Sequence, residues 1–268
     1  MAEFRVINVN VGVFDKNDRV ADANRAKLKA QKTFMLNVMA SPGAGKTTTL
    51  LATIAALKDK YKIGVMEADI DATVDAETMA NAGVRSIQVH TGGECAMDAE
   101  MTRQALEEFP TEDLDLLFLE NIGNLVCPAE TDTGASKNIE ILSVPEGDDK
   151  PLKYPLMFQV CDVVLVNKID VMPYFDFDLK KCTEYVHMRN PNAKIFPICA
   201  KTGEGLEQLS DVVEMMFEGN MPCDGSILTN TRQAYMTELE QKMEDEIIAQ
   251  YELEVSYGKI ALAHVNMA

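Results

Sequence analysis

The segment from Ala40 to Thr47 has the residue types and spacing of a loop that binds nucleotide phosphates. Its sequence, ASPGAGKT, matches the P-loop pattern with Ala in the first glycine position. Gly43 and Gly45 permit the backbone N–H groups to approach phosphate oxygens closely. Lys46 supplies a positive charge for the β- and γ-phosphates, and the Thr47 hydroxyl is a ligand for Mg²⁺. The predicted phosphate site consists of Gly43, Ala44, Gly45, Lys46, Thr47 and Thr48.

A second motif, NKID at Asn167 to Asp170, predicts that the base is guanine. The carboxylate of Asp170 can accept hydrogen bonds from N1–H and the 2-amino group of guanine, whereas adenine offers neither donor there. Asn167 and Lys168 would brace the loop and cover the face of the ring. After the next expected strand, Cys199, Ala200 and Lys201 resemble the S-A-K loop whose backbone contacts guanine O6, with Cys in place of Ser. Together the two motifs favour GTP over ATP.

Acidic residues at two further strand ends are candidates for Mg²⁺ binding and hydrolysis. Asp69 and Asp75 follow one expected strand, and either can bind Mg²⁺ or position the attacking water. Glu120 ends the apolar run Leu114–Leu119 and is a further candidate ligand. Lys46, Asp75 and Glu120 are the predicted catalytic residues. For each carboxylate, a helix cap or a solvated surface charge remains the alternative.

Apolar, strand-like runs alternate with helical segments along most of the chain. This alternation predicts an α/β protein with the P-loop NTPase fold, in which a mostly parallel sheet of about seven strands carries helices on both faces. The expected strands are 34–40, 62–67, 85–90, 114–120, 139–144, 162–167 and 194–198. The expected helices are 15–31, 46–59, 72–82, 96–108, 154–160, 176–189 and 204–218. We expect a leading helical segment at 1–33, a P-loop GTPase domain at 34–218 and a helical C-terminal extension at 219–268.

Composition limits the partners. The 268 residues are 47% hydrophobic, so a full core is expected. The formal net charge is −18. Such an acidic chain is a poor match for nucleic acid or for anionic membranes, because both attract cations. No apolar run reaches the roughly 20 residues that span a bilayer, and no signal peptide is evident. We therefore expect a cytoplasmic protein whose six cysteines are reduced.

With these motifs placed, the chain resembles the HypB family, GTPases that help deliver nickel to [NiFe]-hydrogenase, over roughly residues 15–218. The resemblance implies the fold of the SIMIBI class of P-loop GTPases, slow GTP hydrolysis that acts as a switch, a homodimer controlled by nucleotide, and hydrogenase maturation proteins as partners. Urease metallochaperones are the nearest competitor, but they usually carry Cys-Pro-His where this chain has Cys127-Pro-Ala. The segments that carry the resemblance are Ala23–Arg25, Ser41–Thr48, Thr91–Cys95, Glu120–Ala129 and Asn167–Asp170.

The resemblance also implies a site for Ni²⁺ or Zn²⁺ at the dimer interface. Cys95 and Cys127 match the two cysteines of that site, but position 96, where the family has His, is Ala. Two thiolates from each chain of a dimer would make four sulfur ligands, which suit tetrahedral Zn²⁺ or square-planar Ni²⁺. The alternative is that both cysteines are small buried hydrophobic residues. His90 is a possible substitute ligand, although an ordinary strand-end histidine is the simpler interpretation.

The leading hypothesis is a GTP-binding and GTP-hydrolysing metallochaperone that assists nickel insertion into [NiFe]-hydrogenase during its maturation. A GTP-dependent scaffold or docking protein without metal transfer is one alternative, since the family histidine is absent. A GTPase chaperone for another nickel or cobalamin enzyme is the other.

Overall fold

The computed structural model describes residues 11–69, 79 and 82–217. Contacts divide the chain into two compact units, Met1–Thr229 and Asn230–Ala268, and all described residues belong to the first. Asp75, nearly all of the expected helix at 72–82 and the extension at 219–268 lie outside the described residues. No described helix is long and apolar enough to span a membrane.

A seven-stranded sheet, parallel at every pairing, forms the centre of the described part, which confirms the predicted fold class. The strands are β1 Phe34–Ala40, β2 Ile63–Asp69, β3 Arg85–His90, β4 Leu116–Glu120, β5 Lys137–Ser143, β6 Val163–Asn167 and β7 Lys194–Pro197. Their order in the sheet is β3-β2-β4-β1-β5-β6-β7.

The expected helices within the described residues are also present, with ends that differ by a few residues. Two one-turn helices, α4 and α5, were not predicted, because four residues are too few to show a helical period. The described helices are α1 Val11–Gln31, α2 Lys46–Leu57, α3 Ala99–Glu108, α4 Cys127–Glu130, α5 Lys150–Lys153, α6 Pro155–Val160, α7 Leu179–Arg189 and α8 Leu206–Phe217. Two 3₁₀ segments are Val144–Glu146 and Ile169–Tyr174.

Helices cover both faces of the sheet, so the strands are apolar on both sides. Alternate residues of β4 enter different cores: Leu116 and Phe118 face one side, and Leu117 and Leu119 face the other. The first core is closed by α2 and α8, and the second by α1 and α3. Burying side chains of this size stabilises the fold by about 1.5–3 kcal/mol each. The helices therefore hold the sheet rigid under the loops that follow its strands.

The strand order places a crevice at the carboxyl end of β1. From β1 the sheet extends through β4, β2 and β3 on one side and through β5, β6 and β7 on the other, and after β3 the chain returns to place β4 beside β1. In open α/β sheets ligands bind at such a reversal, because the loops on either side diverge there. The segment after β1 is the predicted phosphate loop, so the fold puts this loop at the crevice.

Candidate nucleotide and metal sites

The phosphate loop joins the end of β1 to the start of α2, which begins at Lys46. Gly43 and Gly45 both have positive φ, 78° and 105°. A Cβ at position 45 would lie 2.6 Å from Nδ2 of Asn167, so the close approach of two loops also requires glycine there. The first N–H groups of α2 have no partner within the helix, and its N-terminus attracts anions. The loop therefore has the backbone geometry and the helix end that phosphate binding needs.

A polar cavity opens beside this loop. Its lining carries one lysine, Lys46, against three carboxylates, Glu67, Asp69 and Glu120. An anionic phosphate group would meet repulsion in such a cavity unless a cation accompanied it. The predicted phosphate-site residues Gly43, Gly45, Lys46, Thr47 and Thr48 all line this cavity, together with Glu67, Ala68, Asp69, Glu120, Asn121 and Gly123.

Hard oxygen groups collect at one side of the cavity, which fits Mg²⁺. Glu67 and Glu120 are register partners on β2 and β4, and both are buried. The Thr47 hydroxyl donates to Oε1 of Glu120 at 2.9 Å, which leaves its lone pairs for a cation. Mg²⁺ usually binds one or two protein oxygens plus substrate phosphates and waters. Thr47, Asp69 and Glu120 match that donor set, whereas Asp75 lies outside the described residues.

A second, more apolar cavity lies at the ends of β6 and β7. It brings together the predicted base-reading residues of the NKID and C-A-K segments, which are far apart in sequence. Its lining consists of Gly45, Thr48, Asn167, Lys168, Asp170, Val171, Cys199, Ala200 and Lys201. Asp170 is exposed on the 3₁₀ segment after β6, so its carboxylate is accessible to a base.

Asn167 connects three loops around this cavity. Its Nδ2 donates to the carbonyl of Ala44 at 2.9 Å, and its Oδ1 accepts from the backbone N–H groups of Lys168 at 2.8 Å and Ala200 at 3.1 Å. Lys168, with φ 65°, extends its Nζ to the carbonyl of Gly43 at 2.6 Å. The phosphate loop and the base loops are thus held as one unit, as the bracing role of Asn167 and Lys168 requires.

Cys95 and Cys127 lie close together at the carboxyl end of the parallel strands. Cys95 follows β3, Cys127 follows β4, and their Cα atoms are 6.1 Å apart. The two sulfurs form a disulfide, so the expectation that all six cysteines are reduced is wrong for this pair. A spacing of 32 residues carries no pairing signal, whereas the common sheet edge brings the two loops into contact. Three other cysteines, Cys161, Cys182 and Cys199, are free and buried.

Burial raises the pKa of two of these free thiols. The pKa of Cys161 lies well above its usual value, chiefly through burial, and burial raises that of Cys182 to about 12. Both thiols therefore stay protonated near neutral pH, as packing residues do. In contrast, Cys95 is exposed and Cys127 is half-buried, so the alternative of two buried hydrophobic residues does not describe this pair.

The loops that carry the two cysteines are tied to the cavity and to each other. Oδ1 of Asn121 accepts from the backbone N–H of Met97 at 3.0 Å, while Nδ2 donates to Asn37 on β1 at 3.0 Å. The Thr131 hydroxyl lies 3.2 Å from the carbonyl of Met97 and 3.4 Å from that of Cys127. Sequence reasoning gave Asn121 and Thr131 no role. The signal for Asn121 was its position as the first polar amide after the apolar strand β4.

The described residues of one chain do not form a complete metal site. Among residues 11–69, 79 and 82–217, no three His, Cys, Asp or Glu side chains are grouped so as to hold a metal ion. Ala96 is buried beside Cys95, and His90 is exposed at the end of β3. A metal at the cysteine pair would therefore need ligands from outside the described residues.

The phosphate loop at the crevice, with a carboxylate-bearing loop at the neighbouring apolar cavity, defines a P-loop nucleotide-binding protein. The family model described as "CobW/HypB/UreG, nucleotide-binding domain" matches residues 34–197. The chain belongs to this family and, within it, to the HypB hydrogenase maturation factors.

Individual relatives agree with that placement. Hydrogenase maturation factor HypB of Escherichia coli (strain K12) is 44% identical over 208 residues, which cover 78% of this chain and 72% of the relative. Hydrogenase/urease maturation factor HypB of Helicobacter hepaticus is 41% identical over 206 residues, covering 75% and 84%. The crystal structure of HypB from Helicobacter pylori in complex with nickel superposes with a TM-score of 0.72 at 37% identity, covering 77% of this chain and 97% of the other.

Proposed function

We propose that this chain is a GTP-binding and GTP-hydrolysing metallochaperone that assists nickel insertion into [NiFe]-hydrogenase in the cytoplasm. One observation carries the proposal: the segment from Glu120 to Cys127 begins at the Mg²⁺ side of the phosphate cavity and ends at the cysteine pair. Its family membership and the nickel complex of the Helicobacter pylori relative support the same cargo.

Hydrolysis follows from the lining of the phosphate cavity. Phosphoryl transfer needs positioning and charge neutralisation more than covalent chemistry from the protein. Lys46 offsets the charge of the β- and γ-phosphates, and the backbone around Gly45 orients them. Thr47 and Glu120 would hold Mg²⁺, which would supply positive charge at the phosphate oxygens. Asp75, outside the described residues, stays a proposed catalytic residue that positions the attacking water.

Metal binding at the cysteine pair requires its reduction. Two molecules of a thiol such as glutathione reduce the disulfide, releasing two cysteine thiols and one glutathione disulfide. Each thiol loses its proton when it binds Ni²⁺ or Zn²⁺. A second copy of the chain would complete the site with two more thiolates.

The loop after β4 connects the nucleotide site to the cysteine pair. A Cβ at Gly123 would lie 3.2 Å from Nζ of Lys46, so this part of the loop lies against the phosphate-binding lysine. One residue further, Nδ2 of Asn124 lies 3.2 Å from Sγ of Cys127. Loss of the γ-phosphate and its Mg²⁺ changes what Lys46 and Glu120 contact, and the loop carries that change to Cys127. This is the coupling that a GTP-controlled nickel carrier needs.

A nickel titration of the reduced full-length chain tests the proposal. We expect tighter Ni²⁺ binding with a non-hydrolysable GTP analogue than with GDP, at one ion per two chains, and dimer formation under the same condition by sedimentation. The Cys95→Ala/Cys127→Ala double variant should lose this binding. Cys182→Ala is the matched control, because it removes a buried thiol away from both cavities. Identical nickel binding by wild type and double variant would instead favour a GTP-dependent scaffold.

A second experiment tests which enzyme receives the nickel, since one relative carries both hydrogenase and urease in its name. Transfer of ⁶³Ni from the loaded chain to purified apo-hydrogenase large subunit, compared with apo-urease, separates them. Delivery to hydrogenase on GTP hydrolysis is the expected result, and delivery to urease alone would contradict it.

A further inference from the structure

The first helix, α1, is tied to both loops that carry the cysteine pair. Asn17 uses both ends of its side-chain amide: Nδ2 donates to the carbonyl of Asp132, and Oδ1 accepts from the N–H of Ala99, each at 2.9 Å. Asn24 donates to the carbonyl of Ala99 at 2.8 Å and lies 3.3 Å from that of Thr133. Two amides of one helix therefore link the start of α3 to the loop after α4.

A buried ion pair reinforces the same link. The Arg25 guanidinium donates to both carboxylate oxygens of Asp132, at 2.9 and 2.8 Å, and to the carbonyl of Ala135 at 3.2 Å. Arg25 is only 8% exposed and Asp132 only 2%. Gly134, with φ 86°, lets the loop lie against the helix, because a Cβ there would be 2.6 Å from the carbonyl of Ala21.

These contacts lie within a few residues of the cysteines in sequence. Ala99 comes four residues after Cys95, and Asp132 comes five after Cys127. Between those points Thr131 connects the two loops directly, through the carbonyls of Met97 and Cys127. A displacement of α1 would therefore displace the backbone of the two loops that carry Cys95 and Cys127.

Contacts of this kind fix the position of the two loops more strictly than apolar packing against α1 would. A buried ion pair contributes little net stability compared with apolar residues of similar volume, but it accepts few geometries. The planar Arg25 guanidinium fixes three partners at once, because Nη2 donates to Asp132, Nη1 to Asp22 and Nε to the carbonyl of Ala135. The outer residues that orient metal ligands typically change metal affinity 10- to 100-fold when they are removed.

We propose that Asn17, Asn24 and Arg25 are positioning residues that hold Cys95 and Cys127 at the spacing needed to share one metal ion. This inference rests on the proposed metal site for its purpose, but the spacing of the two thiols is measurable without any metal. α1 thereby acts as part of the metal site while contacting neither the metal nor the nucleotide.

The test uses two mild variants of the full-length chain, Asn17→Ala and Arg25→Lys, since removing the Arg25 charge would leave Asp132 buried and unpaired. Lysine keeps that charge but loses the Nε bond to Ala135 and the Nη1 bond to Asp22 that fix the plane of the guanidinium. The matched control is Lys27→Ala, which removes a contact of α1 with the far end of α3, the 3.1 Å bond from Nζ to the carbonyl of Leu106. GDP affinity, measured for each protein, verifies that the nucleotide domain is folded.

The first measurement is the equilibrium between the reduced pair and the disulfide in glutathione buffers, read from alkylated peptides by mass spectrometry. In this exchange one glutathione disulfide oxidises the Cys95–Cys127 pair and leaves two glutathione thiols, so the constant reports the effective concentration of one thiol at the other. We expect it to fall about tenfold in the two α1 variants and to stay unchanged in Lys27→Ala.

The second measurement is Ni²⁺ affinity of the reduced proteins, followed by thiolate-to-nickel absorption. About tenfold weaker binding in the same two variants is expected, with GDP affinity unchanged. Variants that lose thermal stability yet keep both the thiol equilibrium and the nickel affinity would overturn the positioning role. If wild type binds no nickel, the proposed function fails, and the thiol equilibrium still decides whether α1 sets the spacing.

Discussion

Replacing Asn167 with alanine should weaken the whole nucleotide site, although Asn167 itself is nearly inaccessible. The change removes three hydrogen bonds, to the carbonyl of Ala44 and to the N–H groups of Lys168 and Ala200. Ala44 and Ala200 are buried, so one carbonyl and one N–H lose their partner away from water. Each such loss costs about 1–3 kcal/mol, which gives about 2–6 kcal/mol for the pair. That is a large part of the roughly 5–15 kcal/mol by which a domain is stable.

The energy can be lost in either of two ways, and one assay captures both. If the loops keep their positions, the free energy of unfolding of the nucleotide-free protein falls. If they move apart to reach water, GDP affinity falls instead. Because ligand binding adds to the free energy of unfolding, urea unfolding at saturating GDP measures the sum of the two losses. We expect that sum to fall by about 2–6 kcal/mol in Asn167→Ala.

Asp170→Ala is the matched control, since Asp170 lines the same cavity but is exposed. It should lower GDP affinity and leave the unfolding of the nucleotide-free protein within about 0.5 kcal/mol of wild type. An Asn167→Ala protein whose unfolding and GDP affinity both stay within that limit would show that the three bonds do not hold the loops together.

Three further substitutions test the proposed guanine-reading residue, the proposed Mg²⁺ ligand of the phosphate loop and a buried carboxyl group of β5. Asp170→Asn should lower GTP affinity by about 10²–10⁴-fold and raise xanthosine triphosphate affinity in competition binding, because two charge-assisted bonds are lost and the new amide donates to the C2 carbonyl of xanthine. Thr47→Ala should slow GTP hydrolysis by about a hundredfold in phosphate-release assays, whereas Thr47→Ser keeps the hydroxyl and most of the rate. Burial and, secondly, the Glu146 charge raise the pKa of Glu140 well above 4.5, so the folded state retains a proton that the unfolded chain releases. The stability that this proton contributes is complete below about pH 4.5 and is lost as pH rises toward the folded pKa. Glu140→Gln copies the protonated group, so its free energy of unfolding in urea should rise relative to that of wild type by up to about 1.4 kcal/mol per pH unit between pH 5 and 8. The exposed Glu184→Gln variant is the control.

The sequence was sufficient to predict the motifs and the elements that carry them. The strands and the long described helices fall within a few residues of expectation, because apolar runs and turn residues mark them locally. The phosphate and base residues were predicted from residue types and spacing alone, since each motif occupies one loop. The structure brings both motifs to neighbouring cavities.

Contacts between loops could not be predicted, because they depend on strand order. Alternation of strands and helices does not say that β4 lies between β2 and β1, yet this order puts Glu120 opposite Thr47. Arg25 and Asp132 are separated by 107 residues and carry no local signal of pairing. The cysteine disulfide has the same origin: two loops after β3 and β4 meet only once the sheet is assembled.

The end of β4 is where the two halves of the proposed function meet. Successive residues of a strand point to opposite sides, so Glu120 and Asn121 face different neighbours. Glu120 accepts from Thr47 at the phosphate loop, whereas Asn121 accepts from Met97 in the loop of Cys95. Under the proposed function, a shift of this strand end that follows the nucleotide would be transmitted to the loop of Cys95. Because such coupling is reciprocal, the proposal also requires nickel at the cysteines to favour the same nucleotide state that favours nickel.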